Sequence, residues 1–87
     1  MDYEFDPAKD ARNIGERGLS LALAPLMFDD VLEIVKDDRR DYGEGRQIAY
    51  GRIMGRLFVC VFTDRGDVRR IISLRKANSR ERKAYGL

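Results

Sequence analysis

The sequence predicts an α+β domain over residues 1–87: a mainly antiparallel sheet of four to five strands, two N-terminal helices and one C-terminal helix. Three observations carry that reading. Leu57-Phe58-Val59-Cys60-Val61-Phe62 is apolar at every position, as expected of a central strand covered on both faces. Gly55 on one side and Thr63-Asp64-Arg65-Gly66-Asp67 on the other mark hairpin turns, with Gly66 supplying a positive φ. Helix-start signals lie outside this strand region, at Asp6-Pro7 and Ser20 before it and at Asn78 with Glu81 after it.

Taken in order, Tyr3-Glu4-Phe5 alternates and suits a short first strand. Asp6 is an N-cap and Pro7 sits at the first helical position, where its missing N–H costs nothing. Ala11 and Ile14 give that helix a narrow apolar stripe, Gly15 weakens it, and Gly18 ends it in the left-handed conformation. Lys9 and Arg12 occupy its surface. Ser20 opens a second helix whose buried face is Leu21, Ala24, Pro25 and Phe28; Pro25 falls about one turn in, so a tight or kinked turn is expected. Asp29-Asp30 closes it. Strands follow over Val31–Lys36, Gln47–Met54, Leu57–Phe62 and Val68–Arg75, with a polar loop from Asp37 to Gly45 after the first. A helix from Ser79 to Tyr85 ends the chain, capped by Asn78 with Glu81 reaching back.

Composition excludes several functions. No apolar run approaches the ~20 residues needed to cross a bilayer, and there is no signal-peptide core, so no membrane is expected. Cys60 is the only cysteine, which rules out a disulfide framework and fits a reducing cytoplasm. The chain has no histidine. Histidine-based triads and zinc sites are therefore impossible, and no metal or cofactor is expected. A chain this short buries only roughly 60% of its unfolded surface, so a partner would help its thin core.

The net charge of +2 hides an asymmetry: residues 1–43 carry a net −5, and residues 44–87 a net +7. A polyanion site is expected in the second half. From Arg69 to Lys83, the basic side chains Arg69, Arg70, Arg75, Lys76, Arg80, Arg82 and Lys83 surround a strand-to-helix junction whose backbone N–H groups suit an anion. The same charges also describe a merely solvated C-terminal helix. Alternation puts Arg69, Ile71, Ser73 and Arg75 on one face of the last strand, and Arg70, Ile72 and Leu74 on the other, where Ile72 and Leu74 suit a core. An RNA chain needs cations for phosphates and aromatic planes for bases.

With these residues in view, the chain resembles a known family. Tyr3-Glu4-Phe5-Asp6-Pro7-Ala8-Lys9, Asn13, Gly18 and Phe28-Asp29-Asp30 are similar to the N-terminal half of the BrnT family of bacterial toxins. Glu44-x-Arg46 with Ala49-Tyr50-Gly51-Arg52 resembles its middle, and Arg70-Ile71-Ile72-Ser73-x-Arg75-Lys76-Ala77, Arg80-Glu81-Arg82 and Tyr85 its ending. The resemblance implies a RelE-like fold, cleavage of RNA and growth arrest. It also implies a BrnA-like antitoxin with a ribbon-helix-helix domain, a hetero-oligomer that reaches operator DNA only through the antitoxin. Glu16-Arg17-Gly18 stands where the family often has Lys-His-Gly, so no imidazole can move a proton there near neutral pH.

The expected chemistry is that of an RNA-cleaving enzyme without a metal. Arg65, Arg75, Arg80 and Glu81 are the candidate catalytic residues. Arg46, Arg52, Arg69, Arg82, Lys76 and Lys9 are candidate phosphate ligands, and Tyr50 and Tyr85 candidate base-stacking planes. Glu81 has a structural use too, as the helix cap. Glu44, Lys9 and Tyr50 remain open beside it as a general base. The alternative is a non-catalytic basic module that docks on nucleic acid or an acidic protein.

Overall fold

The computed structural model describes residues 1–87. Its elements are β1 (Asp2–Phe5), α1 (Pro7–Arg17), a 3₁₀ turn (Leu21–Leu23), α2 (Ala24–Phe28), β2 (Val31–Lys36), β3 (Arg46–Ile53), β4 (Arg56–Arg65), β5 (Val68–Lys76) and α3 (Ser79–Ala84). The five strands form one sheet in the order β1-β5-β4-β3-β2. β2 to β5 are an antiparallel meander, whereas β1 lies parallel to β5, pairing Asp2–Phe5 with Val68–Ile71. The sheet is therefore mixed. No helix is long and apolar enough to cross a membrane.

Local chemistry explains the element ends. Asp6 accepts from the Ala8 N–H, and Pro7 follows at the first helical position. Gly18 ends α1 at φ 70. Ser20 caps the 3₁₀ turn, and the tight turn expected around Pro25 is this turn running into a five-residue helix. Both hairpins are tighter than their sequences suggest. Met54 and Gly55, with φ 50 and 79, form a two-residue loop with positive φ at both positions, so Met54 is a turn residue and not the end of a strand. Gly66 and Asp67 form the other loop, since pairing of Arg65 with Val68 extends β4 through Thr63 and Asp64.

One face of the sheet carries the main core. Leu21, Ala24 and Met27 pack on Ala49, Phe58, Cys60, Phe62, Ile71 and Leu74. Burial of each large apolar side chain contributes about 1.5–3 kcal/mol. At Cys60, burial pushes the thiol up to about 12, so it stays protonated and acts as a small apolar group. Gly51 is where α2 meets the sheet most closely: a Cβ there would lie 2.8 Å from Met27 Cγ and 2.9 Å from its carbonyl oxygen.

A bulge in β5 corrects the face assignment read from alternation. Val61 pairs with Ser73 and Phe62 with Ile71, which leaves Ile72 as an extra residue. Ile71 and Leu74 are the buried pair as a result, in place of Ile72 and Leu74. Arg69 is separated from Ser73 and Arg75 and lies over the Phe28 and Phe62 rings, at 4.6 and 4.4 Å from their centroids.

The first helix also differs from expectation. Ala11 is exposed and Ile14 is 47% exposed, so the stripe they form does not face the core. Polar bonds attach α1 instead. The buried Asn13 amide donates to the carbonyls of Leu19 (2.8 Å) and Leu74 (2.9 Å). Asp10 Oδ1 accepts from Ser20 Oγ and the Leu21 N–H. On the sheet's opposite face, α3 covers one end only, where Leu57, Val59 and Ala77 pack with Ile48, Tyr50 and Tyr85. The rest of that face is open.

Candidate functional site

Beyond α3, the open face of the sheet forms a hollow of about 270 Å³. Its floor is Ile48, Val59 and Val61, and its rim carries three guanidinium groups, a phenol and a hydroxyl: Arg17, Arg39, Arg75, Tyr50 and Ser73. No carboxylate is among the lining residues. Arg17 is the last residue of α1, Arg39 comes from the loop after β2, Tyr50 from β3, and Ser73 and Arg75 from β5 just past the bulge. Four separate segments thus deliver the rim.

Arg75 is held by a carboxylate of α3. Its Nη1 and Nη2 donate to Glu81 Oε1 and Oε2 at 2.8 and 2.9 Å. Glu81 Oε1 also accepts from the Asn78 N–H, and Asn78 Oδ1 accepts from the Glu81 N–H, closing the capping box. The arginine therefore holds the Glu81 carboxyl below its usual range, while Glu81 raises the arginine. The positive charge of Arg39 works in the opposite direction on Arg75. Glu81 has both oxygens engaged and its anionic form favoured, so the structure gives it the role of cap and clamp.

Arg39 is held by a different acid. Its Nε and Nη2 donate to Asp37 Oδ1 and Oδ2, both at 2.8 Å. The Asp37 side chain is fully buried while that of Arg39 is 66% exposed. Arg17 donates to a neutral oxygen, Asn13 Oδ1, at 2.8 Å, so its charge is not offset by a carboxylate. The hollow consequently keeps an excess of positive charge.

The Asp37–Arg39 bond predicts an acid transition. The arginine's hydrogen bonds hold the Asp37 carboxyl at about 2, below its ordinary 3.8. A depressed folded-state value favours folding fully above about pH 4 and loses that contribution as pH falls towards 2. The loss should be about 1–2 kcal/mol, reduced from the full shift because Arg39 is largely solvated. Urea unfolding midpoints measured across this range should fall in the wild type, and Asp37→Asn should flatten that part of the curve. An unchanged slope in the variant would contradict the assignment.

Of the side chains expected at the site, Arg75, Glu81 and Tyr50 come together here. Tyr85 lies one step away. Its ring packs on Tyr50 at 5.4 Å, and its hydroxyl donates to Glu33. Burial and that bond both raise the phenol. Lys9 lines an adjoining hollow. The other candidates are elsewhere. Arg65 and Arg46 share Glu44, with Arg46 over the Tyr42 ring at 4.0 Å. Arg52 pairs with Asp30, and Arg69 with Asp64 on the core side. Arg80 and Arg82 line a shallow depression on α3 with Lys83, and Lys76 is exposed at the end of β5. The arginines thus do not gather in one place, because each strand's alternation and each ion pair directs them separately.

Arg39, Arg17 and Ser73 are rim residues not among the sequence candidates. Two local spacings pointed to the arginines: Asp37-x-Arg39, which closes a turn by a side-chain pair, and Asn13 with Arg17 one helical turn apart. No group of three or more metal-ligating side chains is assembled anywhere in the chain.

No curated protein matches the chain. A family model does: that of the ribonuclease toxin BrnT, of type II toxin-antitoxin systems, over residues 5–81. Since this match takes in nearly every element from the end of β1 to the first turn of α3, the chain belongs to the BrnT family of ribonuclease toxins.

Proposed function

We propose that the chain is an endoribonuclease toxin that cleaves RNA at the Arg17–Arg39–Arg75 hollow without a metal ion, arresting growth in the cytoplasm. The observation that carries the reading is the convergence of three guanidinium groups, from separate segments, on a hollow with no carboxylate in its lining. RNA supplies its own nucleophile. The 2′-hydroxyl gives up its proton and its oxygen bonds to phosphorus. The bond to the 5′-oxygen then breaks and that oxygen takes a proton, leaving a 2′,3′-cyclic phosphate and a 5′-hydroxyl. Negative charge on the non-bridging oxygens rises at the transition state, and fixed donors aimed there are worth about 3 kcal/mol each. Arg75, clamped by Glu81, meets that requirement best. Tyr50 and Ser73 are the hydroxyl groups on the rim able to pass a proton or orient the ribose.

We read the fold as RelE-like, on the family resemblance. Control of the toxin falls to a ribbon-helix-helix antitoxin through which the complex reaches operator DNA. Two features support a partner. The hollow's excess charge suits an acidic segment, and β2 is an edge strand with Leu32, Ile34 and Val35 at the surface. A second reading, a non-catalytic RNA-binding module, draws on the absence of imidazole and carboxylate from the rim.

Turnover separates the two. A trace of purified protein, with chelator present, is expected to shorten a molar excess of single-stranded RNA to fragments ending in cyclic phosphate. Protection of RNA in proportion to added protein would support the binding module, and cleavage only with added metal would overturn the metal-free mechanism.

A further inference from the structure

A second hollow, also about 270 Å³, opens between α1 and the outer edge of β5. It shares Arg17 and Ser73 with the first, so the two hollows adjoin at these side chains. Its other charged lining residues are Lys9, Arg12 and Glu16. Together with Arg17 that makes three cations against one acid. Two features already seen border the groove: Asn13 attaches α1 by hydrogen bonds and not by an apolar face, and Ile72, the extra residue of the bulge, is among its lining residues.

A third hollow borders the first by Tyr50. Its lining includes Glu33, Glu81 and Tyr85 and no Lys or Arg, and since Glu81 is bound to Arg75, Glu33 is the acid there without a cation partner. A phosphodiester chain passing through the central hollow therefore meets Glu33 in one direction and Lys9, Arg12 and Arg17 in the other. Like-charge contact disfavours phosphate on the acidic side, where the tyrosine rings suit a base instead.

We propose that the substrate is a single-stranded RNA reaching at least one nucleotide past the cleaved bond, and that its next phosphate is bound by Lys9 and Arg12 in the groove between α1 and β5. This rests on the ribonuclease reading above and extends it to a second phosphate subsite. A duplex does not suit a groove between α1 and the edge of β5.

The test compares a dinucleotide, which has only the cleaved phosphate, with a longer single-stranded oligonucleotide. For the wild type, kcat/KM should be higher on the longer RNA. Arg12→Ala should lower the ratio of the two values about tenfold, the worth of one charged hydrogen-bonded contact, and Arg12→Glu should lower it further. Binding of the longer RNA should lose salt dependence, the slope of log affinity against log salt falling by about 0.7 for the contact removed. Equal losses on both substrates, or none on either, would overturn the groove assignment. If the wild type cleaves neither substrate the ribonuclease reading falls, and the salt slope of binding alone then decides the groove. An unchanged slope in Arg12→Ala would sink it.

Discussion

Arg75→Ala is expected to lower the rate of RNA cleavage about 10²- to 10³-fold while leaving the fold intact. The magnitude is that of removing one positioned donor from a developing oxyanion. Arg75 is half-buried near the end of β5, and its removal opens no core cavity. The clamp makes the expectation sharper. Glu81→Gln keeps a side chain able to accept from the Asn78 N–H, so the capping box persists, but the charge that fixes Arg75 is gone. That variant should lose much of the activity with little stability. Asn78→Ala should do the reverse, costing about 1 kcal/mol of stability for the lost cap and keeping most of the activity, since Glu81 still meets Arg75. Adding Glu81→Gln to Arg75→Ala should change the rate no further, as expected of two groups acting as a unit. Single-turnover cleavage with thermal melts reads all four proteins. Wild-type rates in Arg75→Ala would remove the hollow from the chemistry.

Gly51→Ala carries the largest expected loss of stability, about 3 kcal/mol, the upper part of the range for overpacking a core. The added methyl would meet Met27 Cγ at 2.8 Å, the Met27 carbonyl at 2.9 Å and the Asp30 carbonyl at 3.0 Å. A flexible thioether can move aside. The two carbonyls cannot without cost, because that of Met27 accepts from the Asp30 N–H in the turn after α2, and that of Asp30 accepts from the Arg52 N–H of β3. Denaturant unfolding should show a lower midpoint with an unchanged slope. A midpoint within the error of the wild type would mean that α2 sits farther from the sheet than described.

The fold class and the site were not equally legible in the residues. The meander, its hairpins and the capped last helix follow from local signals: the apolar run at Leu57–Phe62, the positive-φ glycines, and Asn78 with Glu81. The parallel seat of β1 was not legible, because it depends on contact between residues at opposite ends of the chain. Nor was the bulge, since one inserted residue at Ile72 inverts the period-two pattern on either side of it. Arg75 and Tyr50, both candidates from the sequence, line the hollow because they lie on the sheet face opposite the main core. Arg39 was not legible because its place depends on Asp37 folding the loop back on it, nor Arg17, because its place depends on how α1 is seated on β5.

The amide of Asn13 has an effect beyond fastening a helix. Its oxygen accepts from the Leu74 N–H at 3.5 Å, while its nitrogen donates to the Leu74 carbonyl. One side chain thereby imitates the peptide unit of a missing strand, at the point on β5 where the four residues of β1 have run out. That residue of β5 is closed to a foreign strand, so on this side the sheet can be lengthened only along β1, and on the other along Val31–Lys36.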